Sequence, residues 1–338
     1  MTEAQEPTSM DLSKVANVTS TVSSLEVSGG LNLHIETWNV PEGTLERTVI
    51  VYNHGFAENV NLYREFLPFL AAAGHRVIIF DQRGAGETSP GDLYALTNQT
   101  LIHKDLDTLL ATVFDTLPTG RPLILAGHSM GGGIVLDYAA CGTHRARISA
   151  FWCLAPLVHT APEASPGVLV ECVLLPLLAY VAPTLRRPPG LSTVRITHNS
   201  HWMNLFRNGP DLGTRVVCSA AQMNDMLWRG RRLLDPQFVR GIPAGKPIAL
   251  FQGVHDEINS YQATRQFWEL ITENSDENRK VELERRTVES RKRADGSEAR
   301  ASLYSYADMD HCMVHETPDR QELLLADLVS FLESVSNY

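Results

Sequence analysis

The chain has 338 residues, 43% of them hydrophobic and 20% charged, so it can bury a large core and suits one large domain with an insertion. A net charge of −10 disfavours nucleic acid, or a phospholipid surface held by charge alone, as a partner. The five cysteines, Cys141, Cys153, Cys172, Cys218 and Cys312, include no CxxC pair, which argues against a zinc or dithiol site and fits a reducing, cytoplasmic setting.

Residues 1–20 are polar, acidic at the start, and lack the basic and apolar regions of a secretory signal. They read as a disordered tail in which Asn17-Val18-Thr19 goes unglycosylated. Short β-branched runs then alternate with helical patterns, which predicts an α/β fold: a mostly parallel central sheet with helices on both faces. Strands are expected at Leu31-Glu36, Thr48-Asn53, Arg76-Asp81, Leu123-Ala126 and Ile148-Leu154, with helices near Tyr63-Ala73, Thr100-Thr116 and Gly131-Cys141.

After Ala155-Pro156 the strand signal disappears until about Gly241, which predicts an inserted cap over residues 156–240 between core segments 21–155 and 241–338. Within it, Val168 to Leu185 is almost wholly apolar and comes close to the bilayer-spanning length of about 18 to 20 residues. Glu171, Pro176 and Pro183 argue against a span, and the segment reads as part of a lid, with an ordinary buried helix as the alternative. The earlier rhythm resumes with a strand at Pro247-Gln252, a helix at Tyr261-Thr272, a strand at Leu303-Ala307 and a helix at Gln321-Val335. The charged stretch RRTVESRKRADGSEAR (285–300) reads as a solvated loop.

Chemistry enters at Gly127-His128-Ser129-Met130-Gly131, a Gly-x-Ser-x-Gly turn between an apolar strand and a small-residue helix. So sharp a turn strains the serine backbone and exposes its Oγ, which marks Ser129 as the nucleophile. The bland alternative is a turn that happens to contain serine. A serine needs a base, and the base needs a carboxylate, both after later strands in the order Ser, acid, His. His311 follows the last strand and is favoured over His315; Asp256 follows the Ile248 strand and is favoured over Glu257. Asp308 and Asp310 read as solvated turn residues, and Asp81 with Arg83 as a structural pair. The oxyanion hole needs two backbone N–H groups, one from Met130 and one from the loop after the Thr48 strand, where Phe56 is the candidate. His198 and His201 show no third ligand for a metal and read as a helix face, so the expected mechanism uses no metal and no cofactor.

Taken together, HGFAEN (54–59), FDQRGAGETSPG (80–91), GHSMGGG (127–133), GVHDEIN (253–259) and HCMVHETPD (311–319) resemble the monoacylglycerol lipase family of serine hydrolases, the fungal type most closely. The likeness runs from about residue 25 and includes Gln222-Met223-Asn224-Asp225 to Arg229-Gly230. It implies an α/β-hydrolase fold with a helical cap over an acyl tunnel, and hydrolysis of monoacylglycerols to glycerol and fatty acid. The family's nucleophile falls on Ser129, its acid on Asp256, its base on His311 and its oxyanion donors on Phe56 and Met130. Two features depart from the pattern: Ala57 stands where the family usually has glycine, and the 285–300 stretch is longer than the family requires.

The apolar cap residues Leu174, Leu175, Leu177, Leu178 and Tyr180 argue for a fatty chain, a small-molecule lipid substrate, and peripheral contact with a membrane or lipid droplet. They leave the head group open, so lysophospholipids, other fatty acid esters and thioesters are alternative substrates, and Arg186, Arg187 and Arg195 are the cations that would favour a phosphate. A non-catalytic lipid-binding protein on the same fold is the alternative from a different class.

Overall fold

The computed structural model describes residues 10–189, 196–208, 215–272, 278–295, 297 and 299–336. In chain order its strands are β1 Thr19–Val27, β2 Leu31–Asn39, β3 Thr48–Asn53, β4 His75–Phe80, β5 Leu123–His128, β6 Ala150–Leu154, β7 Arg186–Arg187, β8 Cys218–Ser219, β9 Ile248–Gly253, β10 Asn278–Glu282, β11 Arg286–Lys292 and β12 Arg300–Tyr306. Its α-helices are α1 Pro68–Ala72, α2 Gln99–Thr116, α3 Met130–Cys141, α4 Leu175–Val181, α5 Ser200–Asn208, α6 Ala220–Leu233, α7 Pro236–Val239, α8 Tyr261–Ile271 and α9 Pro318–Ser336.

Ten strands form one sheet in the order β1-β2-β4-β3-β5-β6-β9-β12-β11-β10. The six central strands, β4 to β12 in that order, run parallel, and antiparallel hairpin strands flank them on both sides. Every residue of β3, β5, β6 and β9 is buried, as a parallel sheet covered on both faces requires. Alternation within β3 divides the core: Val49 and Val51 pack with α2, α3 and α8, while Ile50 and Tyr52 pack with α1 and α9. This is the expected α/β architecture.

Three sequence expectations need correction. Residues 10–20 are not a loose tail: Met10 is buried against the α1 and α9 side, Leu12–Val15 makes a 3-10 turn capped by Asp11, and β1 starts at Thr19; residues 1–9 lie outside the description. Its mostly exposed residues gave no hydrophobic alternation to read, and pairing with β2 supplies the order instead. The charged 285–300 stretch is mainly strand, since β11 pairs with β12 along its full length; residues 296 and 298 lie outside the description. Its charges find partners on α8 and α9: Glu289 meets Arg265 at 2.7 Å, Arg286 meets Asp327 at 2.7 Å, and the Arg291 guanidinium lies 4.4 Å from the Trp268 ring centroid. The Tyr63-Ala73 helix is also divided, into a 3-10 turn at Val60–Tyr63 and α1, which Pro68 opens.

Between β6 and β9 the chain leaves the sheet to build α4 to α7, with a two-residue β7–β8 ladder. The apolar Val168 to Leu185 segment forms a π-turn at Val170–Leu174 running into α4. Among the described residues no helix is long and apolar enough to cross a membrane.

Candidate active site

The turn between β5 and α3 puts Ser129 at φ +52° and ψ −118°, a conformation L-residues resist and surrounding contacts must enforce. Ser129 N–H donates to Leu154 O (2.9 Å), and its carbonyl accepts from Gly133 N–H (3.0 Å) and Leu157 N–H (2.9 Å). A Cβ on Gly131 would stand 2.2 Å from Asn53 O, and one on Gly127 would stand 2.7 Å from Gly131, which is why the turn needs glycine at both positions.

Asp256 and His311 arrive on the loops after β9 and β12, adjacent strands in the sheet. His311 Nε2 lies 3.0 Å from Ser129 Oγ, and its Nδ1 lies 2.9 Å and 3.1 Å from the two Asp256 oxygens. A carboxylate only accepts, so Nδ1 carries the proton and Nε2 is left as the acceptor facing the serine hydroxyl. Asp256 Oδ1 also accepts from the N–H groups of Ile258 and Asn259 (2.9 Å each), and Oδ2 from Gln252 Nε2 (3.2 Å). All three members are nearly buried, so their hydrogen bonds act in a low dielectric.

Met130 is the first residue of α3, where a helix leaves its N–H groups unbonded within the chain. Phe56 follows β3 and lines the same cavity as Ser129. Ala57, next to it, has φ +57°, the left-handed conformation for which glycine is the usual choice.

Beneath this loop lies a polar cluster whose roles the sequence did not disclose. Glu58 Oε2 accepts from Gly55 N–H (2.5 Å) and from the Tyr63 hydroxyl, and Oε1 lies 3.1 Å from His128 Nδ1. His128 Nε2 is 3.1 Å from the His311 carbonyl oxygen. Burial disfavours charge on Glu58, but His128 and Tyr63 outweigh it and bring the carboxyl down to about 2. Burial likewise opposes protonation of His128, and Glu58 outweighs it, holding that imidazole above its ordinary value. An ion pair thus ties the Phe56 loop to the backbone of His311. Its only sequence signal was Glu58 lying within HGFAEN and His128 within GHSMGGG.

The competitors sit elsewhere. His315 turns to Leu62 O (2.7 Å) and packs on Trp202, and burial pulls it down to about 4. Asp308 pairs with Arg285 (2.7 Å). Asp310 is not a solvated turn residue: it is buried and lies 3.0 Å from His198 Nδ1, with Glu316 also against that ring at 3.3 Å. His198 therefore has two carboxylates beside it and precedes α5 instead of lying on its face, while His201 meets the Trp202 ring edge-on. Asp81 and Arg83 do not pair with each other: Asp81 accepts from Val60 N–H (2.8 Å) and Glu87 N–H (2.7 Å), and Arg83 grips Asp105 (2.7 Å).

Ser129 opens into a cavity of about 290 Å³ roofed by α4 and α6, with Leu175, Leu178, Met223 and Met226 on its walls. Leu174, Leu177 and Tyr180 are not wall residues; they face solvent, Tyr180 with 87% of its surface exposed. Arg187 reaches the cavity wall, Arg186 donates to Asp92 O instead, and Arg195 lies outside the described residues.

Against known proteins, residues 45–282 match the family described as serine aminopeptidase, S33. The monoglyceride lipase of Saccharomyces cerevisiae is 30% identical over 235 residues, 68% of this chain and 74% of that protein. A Schizosaccharomyces pombe relative is 30% identical over 244 residues, 70% of this chain but 61% of its own length. The crystal structure of a soluble variant of the Saccharomyces cerevisiae monoglyceride lipase with a substrate analogue superposes with a TM-score of 0.81 at 24% identity, covering 95% of this chain and 97% of that one.

Proposed function

The chain belongs to the serine aminopeptidase S33 family of α/β hydrolases, and from that premise we propose that it is a carboxylic ester hydrolase that cleaves monoacylglycerols to glycerol and fatty acid. The observation that carries the proposal is the unbroken chain of hydrogen bonds from Asp256 through His311 to Ser129 Oγ, which lines an apolar cavity.

In this reading Ser129 Oγ attacks the ester carbonyl and His311 Nε2 takes its proton. The tetrahedral oxyanion receives the N–H groups of Phe56 and Met130, the latter reinforced by the N-terminus of α3. Collapse transfers the proton from Nε2 to the departing glycerol oxygen, and water then repeats the sequence on the acyl-enzyme. Asp256 keeps its charge throughout and stabilises the imidazolium. The segment over residues 156–240 acts as a cap that shelters the acyl chain between α4 and α6. The outward face of the same cap, Leu174, Leu177, Tyr180 and Val181, is the surface that meets lipid.

The test is fatty acid release from a long-chain monoacylglycerol, compared with diacylglycerol, triacylglycerol and lysophospholipid, by the purified protein and its Ser129→Ala variant. Release from monoacylglycerol that vanishes in the variant is expected; activity surviving Ser129→Ala refutes the nucleophile, and preference for a lysophospholipid refutes the head group. For the lipid-facing surface, Leu177→Ser with Tyr180→Ser should weaken sedimentation with neutral phosphatidylcholine vesicles, and unchanged sedimentation refutes it.

A further inference from the structure

Asn259 stands three residues beyond Asp256 and is almost wholly buried, yet it lines the cavity beside Ser129. Its Nδ2 donates to Ala155 O (2.7 Å) and approaches Ser129 Oγ at 3.4 Å, so the two N–H bonds of one amide serve the wall of the serine turn and the nucleophile itself. Its backbone is fixed by Asp256 Oδ1, which accepts its N–H at 2.9 Å, by Gln252 Nε2, which donates to its carbonyl at 2.8 Å, and by a bridge to Thr160. The contacts close a ring: Ser129 Oγ to His311 Nε2, His311 Nδ1 to Asp256, Asp256 Oδ1 to Asn259 N, and Asn259 Nδ2 back to Ser129 Oγ.

We propose that Asn259 is a fourth catalytic residue, whose side-chain amide directs the Ser129 hydroxyl toward His311 and then serves as donor to the oxygen that leaves or attacks. This rests on the serine hydrolase reading above. A hydroxyl that accepts from Nδ2 has its own proton free to point at Nε2, the geometry that attack requires. When the Oγ–C bond forms, the proton passes from Oγ to Nε2. When the C–O bond of the substrate breaks, that proton goes to the departing alcohol. Asn259 gives up no proton at any stage. Once acylated, Oγ is an ester oxygen and a poor acceptor, which releases the Nδ2–H toward the alcohol leaving beside it or the water replacing it. The amide acts on both half-reactions, whereas a purely structural residue acts on neither.

The experiment measures the second-order rate of fluorophosphonate labelling of Ser129, which is independent of the natural substrate, beside monoacylglycerol turnover and thermal midpoint. Asn259→Ala should label about tenfold more slowly, the size of effect expected from losing one neutral hydrogen bond at a reacting atom. Asn259→Asp should be slower still and should move the ascending limb of the pH–rate profile upward, because a second carboxylate then faces the imidazolium. Asn259→Gln should recover part of the rate, since its amide can reach Oγ through the cavity. Labelling within twofold of the parent in Asn259→Ala, or losses in all three variants that follow the thermal midpoint with an unmoved pH profile, would overturn the proposal. A parent that labels but releases no fatty acid sinks the substrate assignment alone, and the labelling ratios still decide on Asn259.

Discussion

Glu58→Gln is the substitution that most directly probes how the site is held. The Glu58 carboxyl titrates at about 2 in the fold against an ordinary 4.5, so it is a depressed acid. Its contribution to stability is complete above the unfolded value and is lost as pH falls from 4.5 toward 2. At pH 7 that difference corresponds to about 3 kcal/mol, in line with the roughly 3–5 kcal/mol lost when one partner of a buried ion pair is removed. A chain of 338 residues unfolds with roughly 0.7 kcal/mol per degree of entropy at its midpoint, so calorimetry at pH 7 should find the variant lower by about 4–5 °C. The deficit should shrink below pH 4.5, where the parent loses its own advantage. Because Glu58 also anchors Gly55 N–H, and His128 then loses its counter-charge against the His311 carbonyl, turnover should fall about tenfold or more with little change in KM. A midpoint within about 1 °C of the parent at pH 7, together with turnover within twofold, would refute the claim that this pair braces the Phe56 loop against His311.

Two further outcomes follow from single residues. Ala57→Gly removes a left-handed strain of about 1 kcal/mol, partly offset by the freer unfolded chain, and should raise the midpoint by up to about 1 °C without slowing turnover; a lower midpoint in calorimetry would mean that the Ala57 methyl packs favourably. His315 and His75 are each brought by burial from 6.5 to about 4, so both fold in the neutral form. Their contribution is therefore full above pH 6.5 and is lost as pH falls toward 4, and in His315→Gln the thermal midpoint measured across that window should depend less steeply on pH than in the parent.

The parallel core and the serine turn were legible because their signals are local. β-branched runs such as Thr48–Asn53 admit little but a buried strand, and Gly127 and Gly131 announce a turn that no other residue fits. The chain order that the serine turn prescribes points to His311 and Asp256, and the structure brings His311 within hydrogen-bond distance of both Asp256 and Ser129. What escaped depends on partners distant in sequence. β11 reads as a solvated run until Glu289 is seen against Arg265 and Arg286 against Asp327. Arg83 finds its carboxylate on α2, beyond the turn it shares with Asp81. The cap residues posed a question of facing: a nearly continuous apolar run carries no period, so Leu178 on the cavity wall and Leu177 in solvent look alike in sequence. Asn259 was hidden for a similar reason, being one polar residue in a loop until its amide is placed beside Oγ.

β6 and β9 are hydrogen-bonded neighbours, with Phe151 opposite Ile248 and Leu154 opposite Phe251, although the whole α4 to α7 excursion intervenes between them in the chain. The excursion departs from and rejoins adjacent strands, so its length and sequence leave the register of the sheet untouched. Ser129, Asp256 and His311 hang on that register. Solvent-facing parts of the excursion can therefore vary without shifting the strands that carry Ser129, Asp256 and His311, whereas its anchors are held fast: Leu157 N–H donates to the Ser129 carbonyl, Cys312 N–H donates to Ile196 O, and Leu233 is buried in the main core.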